Sequence, residues 1–117
     1  MKNKFKLIII LFLLVIFNFN YALSDEFNFE ASEIQVLNNG NTLKAKDGVK
    51  VISNNNVEII ADEFIYDKLQ SLLTTVGNVK FFDSVNGIII EAEKILYLKK
   101  EEKVTAKGKV ILVDSVN

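Results

Sequence analysis

The chain has 117 residues, 14 basic against 15 acidic, 50% hydrophobic side chains, and no Cys, Pro, Trp or His. That length holds one small domain, and a near-neutral charge lacks the basic surplus that a nucleic acid partner demands. Without Cys or His there is no disulfide framework, thiolate zinc site, cysteine nucleophile or imidazole base, so triad hydrolases and zinc enzymes are excluded within these residues and no cofactor is expected.

The first element is a leader. Lys2, Lys4 and Lys6 precede Leu7 to Phe17, a run without a polar side chain, and Ala22-Leu23-Ser24 follows. A basic start, a short apolar core and small residues at −3 and −1 are the layout of a secretory signal. The run is shorter than the roughly 20 apolar residues of a spanning helix, and extending it to Leu23 would bury Lys6, Asn18 and Asn20. Cleavage after Ser24 is therefore expected, against the alternative of a retained anchor. It would leave one domain, residues 25–117, with 14 − 3 = 11 Lys against 15 acids, a net charge of −4.

Three similar segments follow, starting at Phe27, Val57 and Ile88. Ala31, Ala61 and Ala92 correspond, 30 and 31 residues apart, and Gly48, Gly77 and Gly108 correspond, 29 and 31 apart. Tyr66 and Tyr97 share a position that Val36 fills in the first copy, and Asp83-Ser84-Val85-Asn86 recurs at 114–117. A fixed period marks stacked supersecondary units. Val, Ile, Phe and Tyr dominate the apolar positions, which favours strands. Val49/Val51, Val79/Phe81 and Val110/Leu112 alternate with other residues at the strand period of two. Polar breaks at Asn38–Asn41, Asn54–Asn56, Asp67–Ser71, Asn86-Gly87 and Lys99–Glu102 read as turns, with Asn39-Gly40 suited to positive φ.

The apolar parity slips by one residue after each Ala: Phe29 and Ala31 against Ile34 and Val36, Ile59 and Ala61 against Phe64 and Tyr66, Ile90 and Ala92 against Ile95 and Tyr97. A flat strand cannot slip without turning its apolar set to solvent, whereas a bulge or corner can. Bends are expected at Ser32-Glu33, Asp62-Glu63 and Glu93-Lys94, giving a folded, trough-like sheet. The competing local reading is a helix from Ala61 to Leu73, for which Ile88-Ile89-Ile90 in the equivalent place is a poor start.

Reactive chemistry is limited to carboxylates. Asp62-Glu63 and Glu91/Glu93 recur at corners, and a feature repeated at every corner is structural, whereas a catalytic pair is needed once. No enzyme is expected. A calcium site among Asn38, Asn39, Asn41 and Asp47 is a minor alternative. The scattered Lys residues suit strand edges, where they discourage unwanted pairing; contact of Lys44, Lys46, Lys50 or Lys80 with anionic headgroups is a second reading. The apolar residues build either a tight core or a trough with room for an alkyl chain, and sequence leaves both open.

Phe29-Glu30-Ala31, Ala61-Asp62-Glu63, Tyr66, Gly77-Asn78-Val79, Ala92-Glu93, Tyr97 and Gly108-Lys109-Val110, repeated in tandem, resemble the OstA-like N-terminal domain of lipopolysaccharide transport proteins. That domain occurs in periplasmic bridge proteins and at the front of the outer-membrane translocon. The resemblance spans residues 27–117. It implies an all-β fold, a V-shaped antiparallel β-jelly roll, located in the periplasm. The implied function is non-catalytic: the inside of the V holds lipid A acyl chains, and modules, or copies of one module, pair edge to edge. Candidate groove residues are Ile34, Val36, Val49, Val51, Ile59, Phe64, Tyr66, Val79, Phe81, Ile90, Ile95, Val110 and Leu112. Parity defines two faces without naming the inner one. The alternatives are a parallel β-solenoid with a solid core and a sugar-binding module, which would want exposed Trp.

Overall fold

The computed structural model describes residues 27–114; the expected leader, the Asp25 start and the last three residues lie outside this range. Ten strands form one sheet: β1 (Phe27–Ala31), β2 (Gln35–Leu37), β3 (Thr42–Ala45), β4 (Val49–Ser53), β5 (Val57–Ala61), β6 (Glu63–Asp67), β7 (Leu72–Asp83), β8 (Ile88–Leu98), β9 (Lys103–Lys107) and β10 (Ile111–Asp114). Every pairing is antiparallel. This excludes the parallel solenoid. The stretch from Ala61 to Leu73 lies in β5, β6, a turn and the start of β7, which excludes the helix.

The chain is simplest to follow as six bent strands. β1 continues into β2, β3 into β4, β5 into β6, and β9 into β10; β7 and β8 pass through the bend unbroken. Each bent strand pairs with the next in sequence, so the sheet is a folded meander. One arm runs β1-β4-β5, the second half of β7, the first half of β8, and β10. The other runs β2-β3-β6, the first half of β7, the second half of β8, and β9. Aromatic contacts bridge the arms: Phe29 stacks on Phe64 at 4.7 Å between centroids, and Phe27 meets Tyr66 edge-on at 5.1 Å. The segments that start at Phe27, Val57 and Ile88 each span one hairpin of two bent strands.

Residues of two kinds make the bend. Odd strands turn at Ser32, Asp62 and Glu93. Even strands turn at Asp47-Gly48, Gly77-Asn78 and Gly108-Lys109, where both residues of each pair have positive φ. Backbone bonds zip the bend line: Gly48 N–H donates to Asp62 O, Asp62 N–H to Gly77 O and Glu93 N–H to Gly108 O, each at 2.9 Å. The β7–β8 register shifts between Val76 and Val79, the two residues flanking Gly77-Asn78. Gly77 is held by more than its φ of 87°: a Cβ there would lie 2.8 Å from the Asp62 Cβ, and one at Gly108 2.9 Å from the Glu93 Cβ. The acidic corner side chains fill the space that the glycines leave. Asp62 Oδ2 accepts from Asn78 Nδ2 at 3.0 Å, and Glu93 pairs with Lys109 at 3.8 Å. Of the recurrent corner carboxylates, Asp62 and Glu93 thus fill and brace the bend.

The predicted turns lie at the tips of the arms. The first is wider than a two-residue hairpin: Asn38, Asn39 and Gly40 all have positive φ and close a single 3-10 turn. Asp83 shapes another, with Oδ1 accepting from the Val85 and Asn86 backbones and Oδ2 from the Asn86 side chain. Those bonds, the Asn86 side chain first, hold its carboxyl below the usual carboxylate range. Asn38, Asn39 and Asn41 lie at the tip before β3 and Asp47 at the bend after it, so the four calcium candidates do not converge. No group of three or more carboxylates that could hold a metal ion occurs among the described residues.

Candidate functional site

The inner face of the V follows from the register. In one arm Phe29, Val51, Ile59, Phe81, Ile90 and Leu112 stand opposite one another in a continuous row. In the other, Val36, Leu43, Tyr66, Leu73, Tyr97 and Val104 do the same. Directly opposed residues share a face, so each row is an apolar stripe across the sheet, and the two stripes face each other inside the fold. Eleven of the thirteen candidate residues lie on this face by their strand positions; Ile34 and Val110 lie just outside β2 and β10.

The middle of the stack is closed. Val49, Val51, Ile59, Phe64, Tyr66, Val79, Phe81 and Ile95 are buried in one apolar cluster with Phe27, Leu73 and Tyr97. Thr75 is buried as well, and its hydroxyl donates to Ile95 O at 2.9 Å. Ile90 is half-buried against the same cluster. The remaining four candidates, Ile34, Val36, Val110 and Leu112, are exposed by 37%, 61%, 49% and 63%. They lie on the first and last bent strands. Among the described residues β1 pairs only with β4, β2 only with β3, β9 only with β8 and β10 only with β8. The inner stripes therefore run out exposed at the last edge, through Val110 and Leu112, and at the β2 side of the first edge, through Ile34 and Val36, while Phe27 and Phe29 of β1 pack against the core. Near the last edge, a cleft of about 360 Å³ opens between the arms over Val57, Phe81, Tyr97 and Val104, rimmed by Asn55, Asn86 and Glu102.

The outer face explains why several strands are apolar on both parities. In the first arm it carries Ile60, Phe82, Ile89, Ile111 and Val113 between ion pairs. Lys50 meets Glu58 at 2.8 Å and Lys80 meets Glu91 at 3.3 Å. Hydrogen bonding and attraction to Glu58 raise the Lys50 pKa. Lys50 and Lys80, suggested as headgroup contacts, each sit beside a carboxylate while staying part-exposed. Sequence reasoning passed over Lys99. It is buried, with 6% exposure, at the mouth between the arms. Its position two residues after the inward Tyr97 was the available signal.

A V-shaped antiparallel sheet with an apolar interior, and with two edges that no strand among the described residues covers, is the class of fold this chain adopts. Within it, the chain is similar to the crystal structure of LptH, the LptA homologous periplasmic component of the conserved lipopolysaccharide transport device from Pseudomonas aeruginosa. The TM-score is 0.62 at 11% identity, over 79% of this chain and 96% of that one. No family model and no curated protein matches the sequence.

Proposed function

We propose that this protein is a non-catalytic periplasmic module of lipopolysaccharide transport. It shelters lipid A acyl chains on its inner face and joins like modules edge to edge. The domain starts at Asp25 after cleavage of residues 1–24. The observation that carries the reading is the pair of apolar inner stripes, which stay apolar where they become exposed, at Val110 and Leu112 on the last edge and at Ile34 and Val36 on the first. Each methylene exposed to water costs about 0.8 kcal/mol, so a chain of a dozen carbons costs on the order of 10 kcal/mol to carry in the open. A stripe of Ile, Leu, Val and Phe removes most of that cost without specific recognition. The likeness to LptH lends the cargo its chemical identity.

The repeat supplies a register for the edge. In β7–β8, Phe81 faces Ile90, Val79 faces Ala92, Thr75 faces Ile95 and Leu73 faces Tyr97. Moved by one repeat, these positions are Leu112, Val110, Ala106 and Val104 on the last bent strand, and Phe29, Ala31, Ile34 and Val36 on the first. A second copy, or a like module, docked at the last edge in this register places apolar residues opposite apolar residues along the whole inner face. Its direction is antiparallel, as every existing pair is, and edge strands with free backbone groups are templates for such addition.

The test is photo-crosslinking in cells. A crosslinker at Leu112 or Val36 captures lipopolysaccharide, and one at the exposed turn residues Lys68 or Lys100 does not. Equal capture at all four positions overturns the groove.

A further inference from the structure

We propose that a polar latch centred on Lys99 holds the two arms of the V shut, and that a ligand chain reaches the aromatic section of the interior only when it releases. The latch joins the tips of the arms. Asn54 and Asn55 belong to the turn between β4 and β5 in one arm; Tyr97 lies near the end of β8 and Lys99 opens the 3-10 turn after it in the other. Across the mouth, Lys99 Nζ donates to Asn54 Oδ1 at 2.9 Å, and Asn55 Nδ2 donates to the Tyr97 hydroxyl at 3.3 Å. The Lys99 ammonium also sits 5.8 Å from the centre of the Phe27 ring, which itself meets Tyr97 at 5.9 Å.

Two features make this a closure rather than ordinary surface pairing. First, Lys99 is buried, so the donor end of this part-buried hydrogen bond is held out of the water that weakens fully exposed contacts. Second, its place divides the interior. On one side Phe27, Phe29, Phe64 and Tyr66 fill the space between the arms. On the other, the cleft over Phe81, Tyr97 and Val104 leads to the uncovered β9–β10 edge. A chain entering from that edge meets Tyr97 and the latch before the aromatic plug. Asn54 is exposed, so its amide can swing away without opening the core.

The ligand in this inference rests on the lipid reading above; the closing contact does not, and the test separates them. The chain has no cysteine, so Leu69→Cys with Val85→Cys places two spin labels only at exposed tips of opposite arms. The unaltered latch gives one narrow distance distribution. Asn54→Ala, a surface change, and Lys99→Met, which keeps the stem, each shift weight to longer distances. Loss of one hydrogen bond to a charged group raises the open fraction roughly tenfold. An unchanged distribution in both variants overturns the latch. With crosslinkers at Phe64 and Leu112, Asn54→Ala increases lipopolysaccharide capture at Phe64 and leaves Leu112 unchanged. Capture at Leu112 with no rise at Phe64 overturns the gate. Absence of capture at both positions, with the distance shift present, overturns the lipid reading and supports the latch as a closure.

Discussion

Phe81 and Leu112 occupy the same position of the repeat, 31 residues apart, yet one is 3% exposed and the other 63%. Val79 and Val110, at 2% and 49%, repeat the contrast with an identical side chain. Leu73 is wholly buried, whereas Val104 is only partly so. Side-chain chemistry does not account for these differences. The earlier member of each pair has strands on both sides; the later member lies on an edge. The edge thus keeps the inward pattern of the core although nothing among the described residues covers it. An edge meant for water would normally be blunted by charge, Pro or a bulge. β10 is blunted only by its length of four residues and by Asp114 at its end.

The largest expected effect comes from truncating both members of one pair. Phe81→Ala removes a core side chain, and such changes cost about 3–5 kcal/mol. Leu112→Ala removes a half-solvated one and costs the isolated domain less than about 1 kcal/mol. Chemical denaturation of the two variants measures the difference. If Leu112→Ala proves as costly as Phe81→Ala, the last strand is already covered and the comparison breaks.

A second contrast sharpens the role of the bend. Gly77 and Gly48 both have φ near 90°, but a Cβ at Gly77 runs into Asp62 while one at Gly48 meets nothing within 4 Å. Gly48→Ala bears the left-handed penalty alone, about 1–2 kcal/mol. Gly77→Ala adds a steric clash and costs about 2–4 kcal/mol. The double variant Gly77→Ala/Asp62→Ala recovers part of that loss, and thermal unfolding of the three proteins checks the order.

Much of this architecture was legible in the sequence. The period gave the hairpin unit, and the parity slip after Ala31, Ala61 and Ala92 gave the bend, because a two-residue period has no other way to keep one face apolar. The even-strand bends at the glycines were not recognised. They leave no parity slip as plain as that of the odd strands, since two positive-φ residues absorb the turn. The inner face also escaped assignment, because Ile60, Phe82 and Ile111 make the outer parity nearly as apolar as the inner. Only the register, which aligns Val51, Ile59 and Phe81 in one row, separates them. Lys99 was missed for a related reason. A charged residue in a Lys- and Glu-rich turn reads as solvated, and its burial depends on Asn54 and Phe27, distant in sequence.

The smallest expected effect tests the edge register through charge. Lys107 stands directly opposite Lys94 on β8, with Lys103 further along β9. Like charges directly opposed on a sheet are destabilising by a few tenths of a kcal/mol up to about 1. The register derived from the repeat brings Glu33 of an incoming module opposite Lys107, since Val76 faces Lys94 in β7–β8. Lys107→Glu therefore acts in opposite directions on two measurements. It relieves the Lys94 contact, so the isolated domain holds its stability or gains slightly. It also places a carboxylate against Glu33 of the neighbour, weakening self-association by about 0.5–1 kcal/mol at low salt, the range of exposed ion pairs. Glu33→Lys weakens association by a similar amount, and mixing the Lys107→Glu and Glu33→Lys proteins restores pairing at that junction. Sedimentation at several ionic strengths reads all three, and added salt diminishes the differences because the pair is exposed. Rescue by a mixture requires that the two residues meet across the joint. If each variant weakens association and the mixture does not recover, the modules pair in a different register. If neither variant changes association at low salt, Glu33 and Lys107 do not meet.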